Sequence, residues 1–243
     1  MEEEIEMMHG KNKMEEELKI EDETKREIVA PGEVLATGDE FLPGDGTRKE
    51  GKEVIASRFG LSEKSGRIIK IIPLSGTYVP RRGNVVIGRA MDITFNGWIM
   101  DLSAPYLAFL PITECPRYFN RYELSENADI GDMMVCIVDN VKPKGIDLTI
   151  MSKGLGKLEG GMIMHINPNK VPRVIGKEGS MIQIIKEDTQ CDIIVGQNGV
   201  IWIKGESIDQ ELAAKEAIMF VTEKPHREGL TEKTKEFLAK RKT

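Results

Sequence analysis

Cysteine and histidine are scarce in this sequence. The three cysteines (Cys115, Cys136 and Cys191) are scattered without a Cys-x-x-Cys pair, which suits a reducing cytoplasm and offers no zinc site. The three histidines (His9, His165 and His226) are equally dispersed, and His165 alternates with apolar neighbours like a packed or edge residue of a strand. No segment approaches the roughly 20 apolar residues that a membrane helix needs, so no membrane is expected as a partner. The start Met1-Glu2-Glu3-Glu4 is acidic where a secretory signal would be basic, which argues against export. Also lacking are a carboxylate cluster suited to two-metal chemistry, a Gly-x-x-x-x-Gly-Lys-Ser/Thr phosphate loop, and any Ser/His or Cys/His pair implied by spacing. These absences point to a non-enzyme with no catalytic residue, metal or cofactor.

Charge is unevenly spread. The formal net charge is −6, and residues 1–28 hold eleven acidic and five basic side chains, so the remaining chain is neutral. With no aromatic residue and weak periodicity, 1–28 reads as an acidic disordered tail. From Lys64 to Met91 there is no carboxylate, while Lys64, Arg67, Lys70, Arg81, Arg82 and Arg89 all fall there. Such a block suits phosphate backbones or an acidic partner surface, or is simply a solvated face.

The length allows two or three small domains. Pro31-Gly32 and Pro43-Gly44 mark turns between short extended pieces, and 52–57 and 67–74 read as strands, making 29–82 a small all-β domain. Five further strands are expected at 84–93, 97–102, 106–110, 133–140 and 145–151. A five-strand run with a long connection between the third and fourth suggests an OB-type barrel over 83–152. A glycine-rich hinge then leads into 153–224. There 162–166 alternates as a strand, 170–175 and 180–187 read as helices flanking Gly176-Lys177-Glu178-Gly179, and 191–195 and 200–204 are strands joined by an Asn198-Gly199 turn. Ser207 opens a last helix with Gln210 as its capping-box partner. Beyond it, 225–243 reads as a C-terminal exposed helix over 231–240, anchored by Phe237 and Leu238. Val174, Ile182, Ile185, Ile194 and Ile201 are the expected core of the 153–224 domain, and Gly199 is expected at positive φ.

The order strand-helix-helix-strand-strand-helix, with Gly-x-x-Gly between the first helices, resembles the KH domain, an α+β fold whose glycine loop clamps single-stranded RNA. Alone, the spacing would be no more than a tight turn. The physics fits the resemblance: glycines let the main chain approach a phosphate, the next helix offers free N–H groups, and Lys177 adds a cation, although Glu178 repels phosphate unless it points outward. Residues 83–152 resemble the RNA-binding OB domain of the ribosomal S-one type at Gly88, Phe95-x-x-Trp98, Asp101-Leu102, Phe109-Leu110-Pro111-Ile112, Gly131-Asp132 and Ile146-x-Leu148-Thr149. That resemblance implies base stacking on Phe95 and Trp98, with core packing or a subunit contact as the alternative for Trp98 and Tyr106. Pro111 stands where a histidine is common in that family and Asp147 where a basic residue is common. Arg117, Arg121, Lys142 and Lys144 lie in loops where they can steer a strand.

The whole order of a mainly-β N-terminal domain, an OB barrel and a KH domain is similar to the RNA-binding cap subunit of the archaeal exosome. The stretches that carry the likeness are Val29-Ala30-Pro31-Gly32-Glu33, Ile72-Pro73-Leu74-Ser75-Gly76-Thr77-Tyr78-Val79-Pro80, and Gly196-Gln197-Asn198-Gly199. The resemblance implies three copies on a hexameric phosphorolytic ring, recruiting single-stranded RNA 3′ ends to its pore for degradation. Because 29–82 is β-rich with a dense basic block, it is expected to dock on a partner protein, while the two RNA modules face the substrate. A free-standing RNA-binding regulator of transcription or translation, or a pure scaffold, remains open on the residues alone.

Overall fold

The computed structural model describes residues 26–223, 232–234 and 236–237. All but the last three residues of the expected acidic tail lie outside them, as does most of the expected C-terminal helix. The chain divides into two compact units at Ser75/Gly76.

The first unit is built from short strands: β1 (Ile28–Val29), β2 (Val34–Thr37), β3 (Leu42–Pro43), β4 (Thr47–Glu50), β5 (Glu53–Ala56), β6 (Gly60–Ser65) and β7 (Ile68–Pro73). They pair as two sheets, β1-β6-β7-β3 and β2-β5-β4, around Val29, Ala56 and Ile71. The hairpin of β6 and β7 puts Glu63 opposite Lys70. Lys70 and Arg26 each approach the Glu63 carboxylate to 2.7 Å, and their hydrogen bonds hold its pKa below the usual range. The expected strands at 52–57 and 67–74 match β5 and β7, whereas β6 was not foreseen. Its sequence, Gly-Leu-Ser-Glu-Lys-Ser, lacks an apolar alternation, and pairing with β7 makes it a strand.

The second unit contains both the barrel and the helical layer. Strands β8 (Val85–Thr94), β9 (Gly97–Asp101), β10 (Ala108–Pro111), β11 (Met133–Lys142) and β12 (Gly145–Thr149) pair in the order β12-β10-β9-β8-β11, and β11 also pairs with β12, which closes the barrel. Only β10 and β12 run parallel, the arrangement of an OB fold. Alternation sets the inside: Trp98, Met100 and Leu102 from β9 and its exit, Met134, Cys136 and Val138 from β11, and Ile146, Leu148 and Ile150 from β12 and its exit are all buried together. Tyr78, from the segment leading into the barrel, joins this core and donates its hydroxyl hydrogen to Asn84 Oδ1 at 2.8 Å; burial pushes its pKa up to about 12.

A short strand β13 (Gly156–Lys157) on the edge of β11 leads to β14 (Met162–His165), α1 (Val171–Ile175), α2 (Ser180–Thr189), β15 (Asp192–Val195), β16 (Val200–Lys204) and α3 (Ile208–Glu223). The sheet order is β14-β16-β15 with both pairings antiparallel, as a type I KH domain requires. The expected capping box forms: Gln210 N–H donates to Ser207 Oγ, and Gln210 Oε1 accepts from Ser207 N–H.

Both faces of this sheet are covered. Met164, Ile193, Ile201 and Ile203 pack against the helices, while Ile163, Ile194, Val200 and Trp202 pack against Ile87 and Val135 on the outside of the barrel. Ile194 therefore leaves the expected helical core. Strand alternation sends it to the opposite face from Ile193, and that face is buried by the barrel instead of by water.

The turn between β15 and β16 fastens the two domains. The first four residues of β8 have no partner on β9, whose pairing with β8 begins at Arg89. The turn supplies the missing hydrogen bonds: Gln197 N–H donates to Val85 C=O, and Asn198 Oδ1 accepts from Ile87 N–H. Asn198 Nδ2 donates to Ile87 C=O at 2.8 Å and to Leu102 C=O at 3.0 Å. At 3% exposure, Asn198 fills the gap where β8 and β9 part. The Asn-Gly pair thus makes the expected hairpin turn and joins the domains as well.

Candidate nucleic-acid interface

The KH loop is open and preformed. Helix α1 ends at Gly176, whose N–H donates to Pro172 C=O, and Lys177, Glu178 and Gly179 form a tight turn into α2. Gly176 has φ 76°, and a Cβ there would sit 2.7 Å from both the Cβ and the N of Met181, so the loop can lie this close to α2 only with glycine. Glu178 adopts φ 54°, ψ 26°, a left-handed conformation costly for a residue with a Cβ. Lys177 and Glu178 are both exposed, and Lys177 has no ion-pair partner among the described residues. The loop joins two helices of the layer that lies across the KH sheet from the barrel, so docking on the barrel leaves it free.

The barrel residues named from the sequence divide into two groups. Phe95, at the tip of the β8–β9 hairpin, is 94% exposed. At the same end lies the connection from β10 to β11: Gly97 pairs with Pro111, Ile112 N–H donates to Asn96 C=O, and Arg117 and Arg121 are exposed on this connection. Lys142 and Lys144 flank the β11–β12 turn at the opposite end, because β11 runs antiparallel to β8. Lys142 is tied to the Asp147 carboxylate at 2.6 Å, whereas Lys144 is exposed. Asp147, the departure noted in the sequence, thus spends its charge on a neighbouring lysine.

Trp98 requires correction. It is 0% exposed, donates its Nε1–H to Ala128 C=O at 2.9 Å, and meets the edge of Phe119 with ring centroids 6.2 Å apart. An indole enclosed in the barrel core cannot stack on a base; it pins the 112–128 connection to the barrel. Tyr106 is half-exposed at the opposite end. Two residues absent from the sequence reading are Tyr118 and Tyr122, 80% and 102% exposed. Their signal is the repeated Arg-Tyr of Arg117-Tyr118-Phe119-Asn120-Arg121-Tyr122, inside the stretch expected only as the long connection between the third and fourth strands.

The basic block also divides between the two units: Lys64, Arg67 and Lys70 belong to the first, Arg81, Arg82 and Arg89 to the second. Lys70 is paired with Glu63, Arg82 lies 3.7 Å from Asp139, and Lys64 sits over the Phe41 ring at 5.0 Å. Among the described residues no group of three or more His, Cys, Asp or Glu is arranged to hold a metal. The cysteines are buried, and burial pushes the thiols of Cys115, Cys136 and Cys191 up, Cys115 to about 12. No described helix is long and apolar enough to cross a membrane.

Comparison with known proteins agrees with this architecture. Residues 161–209 match the model of the KH domain, and residues 28–65 match that of the exosome complex exonuclease RRP4 N-terminal region. The exosome complex component Rrp4 of Methanothermus fervidus is 41% identical over 199 residues, covering 82% of this chain and 89% of the relative. This chain belongs to the Rrp4 family. The Rrp4 of Thermococcus kodakarensis is 42% identical over 209 residues, covering 83% of the chain and 80% of the relative. That of Methanothermobacter thermautotrophicus is 43% identical over 199 residues, and the match spans 63% of its length. A crystal structure of a protein assigned as an exosome complex RNA-binding protein superposes with a TM-score of 0.62 at 32% identity, covering 69% of this chain and 98% of that one. The Rrp4 family thus accounts for both the N-terminal β unit and the KH domain. Its members' similarity extends through the barrel between them.

Proposed function

We propose that the chain is an RNA-binding subunit of an archaeal exosome that cuts nothing itself. It holds single-stranded RNA and passes the 3′ end to a phosphorolytic ring, on which three copies sit around a hexamer, in the cytoplasm. The observation that carries the reading is the free glycine loop. The outer face of the KH sheet is covered by the barrel, yet Gly176-Lys177-Glu178-Gly179 remains open, with a lysine that has no ion-pair partner among the described residues beside the start of α2. A strand backbone can approach the main chain of the loop and a cation there, at the start of a helix. The exposed cations of the barrel, Arg117, Arg121 and Lys144, supply further contacts to phosphate.

The assembly part is tested by native mass spectrometry of the chain mixed with phosphorolytic ring subunits, followed by RNA digestion. The expected outcome is a complex of three chains per hexamer, faster decay of a single-stranded RNA than with the ring alone, and an intact RNA when the chain is incubated by itself. A chain that stays free of the ring would favour an independent RNA-binding regulator, and decay by the purified chain alone would contradict the non-catalytic reading.

A further inference from the structure

The connection between β10 and β11 is built to display two aromatic rings. Phe119 turns inward and meets Trp98 edge-on at 85°, which ties the middle of the segment to the barrel core. Asn120 locks the rest. Its N–H donates to Asn127 Oδ1 and its C=O accepts from Asn127 Nδ2, a reciprocal pair at 2.9 and 2.8 Å. Its own Oδ1 accepts from the N–H groups of Tyr122 and Glu123, and its Nδ2 donates to Glu126 at 2.6 Å. Every polar group of Asn120 is therefore used to fix one short turn, and the residues on either side of that turn, Tyr118 and Tyr122, stand out into water.

Tyr118 tilts against Phe119 with ring centroids 5.3 Å apart yet stays 80% exposed, and Tyr122 is fully exposed, so both rings leave most of their area in water. An aromatic ring buries its area only against a partner, and a loop already ordered loses little further freedom when the partner arrives. Each tyrosine follows an arginine, and neither Arg117 nor Arg121 has an ion-pair partner among the described residues. Phe95 is exposed at the same end of the barrel. Glu126 is occupied by Asn120, but Glu123 stays exposed beside Tyr122, so phosphate attraction here is modest and the ring faces carry the contact.

We infer that Tyr118 and Tyr122 form a base-stacking platform for single-stranded RNA, presented by the β10–β11 connection and separate from the KH glycine loop. The inference rests on the RNA-binding reading above and places the stacking role sought at Trp98 onto these two rings.

The test uses the full-length chain and a fluorescent oligoadenylate, with an abasic strand of equal length as comparison. Stacking on an aromatic ring is worth ~1–3 kcal/mol per base, so Tyr118→Ala and Tyr122→Ala should each weaken oligoadenylate binding by about 5- to 150-fold. Tyr118→Phe and Tyr122→Phe, which keep the ring, should bind like the wild type. Binding of the abasic strand should be indifferent to all four changes, and the salt dependence should keep its slope because no phosphate contact is lost. Unchanged oligoadenylate affinity in a folded Tyr118→Ala/Tyr122→Ala double variant would overturn the inference. So would loss of ring binding or self-association with RNA affinity intact, which would make the surface a protein contact. If Lys177→Ala weakens RNA and the tyrosine variants do not, only the platform fails; if the wild-type chain binds no RNA, the functional reading fails with it.

Discussion

At Gly176 and Gly179 the same substitution has two different meanings. Gly176 is packed against the first turn of α2, so any side chain there displaces backbone, and a loss of RNA binding in Gly176→Asp would not separate contact from structure. Gly179 has φ 80°, ψ 7° with open space around the position of a Cβ, and aspartate tolerates that left-handed region better than most residues. Only at Gly179 is there room for a side chain, although the left-handed backbone still strains one. Gly179→Asp should leave the circular dichroism spectrum unchanged and weaken single-strand binding, because it sets a carboxylate where phosphate is expected. Glu178→Gln should do the reverse and tighten binding, since the exposed carboxylate already in the loop repels phosphate. Equal affinities of both variants and the wild type for an oligoadenylate would show that the loop is not in contact with RNA.

The elements that could be read from the chain were those whose pattern is local. Alternation located the five barrel strands, and the Ser207/Gln210 pair located the start of α3 to the residue. Strand β6 and the short β1 to β4 were not legible in full, because their apolar content is low and distant partners make them strands. Which face of a KH strand looks inward was also hidden. Ile193 and Ile194 are equally apolar, and only the barrel's presence explains why both are covered. For the same reason Trp98 could be read as a platform or as core, since spacing fixes the position in the strand but not what covers it. The β15–β16 turn shows the limit most clearly. Asn198 looked like a turn residue, yet it holds three backbone groups of the barrel. Asn198→Ala leaves those groups buried without partners, at a cost of about 1–3 kcal/mol for each group left unsatisfied. Urea unfolding should show that loss, and amide exchange should lose protection at Ile87. Protection at Ile87 equal to the wild type would mean that β8 is held without the turn.

On the scale of the molecule, the placement of charge decides what kind of binder this is. The net charge of −6 belongs to residues 1–28, and the remaining chain offers cations at separate places: Lys177 on the KH loop, Arg117 and Arg121 at one end of the barrel, Lys144 at the other. Dispersed cations beside exposed rings suit a surface that a strand crosses, touching backbone in several places and bases by their faces, which any sequence provides. Membership of the Rrp4 family was legible from the order of domains and from a few short stretches. The contacts that make the barrel and the KH domain one unit were not, because they join residues more than ninety positions apart.

The central claim is that the chain grips single-stranded RNA mainly through its backbone, without selecting a sequence. The most direct measurement is the affinity of the full-length chain for oligoadenylate, oligouridylate, oligocytidylate and a duplex across a salt series. The expected result is similar affinity for the three single strands, weaker binding of the duplex, and a steep fall with salt that flattens by about 0.7 in log–log slope for each phosphate contact removed, as in Lys177→Ala. Tight binding of one short sequence that persists at high salt would contradict it.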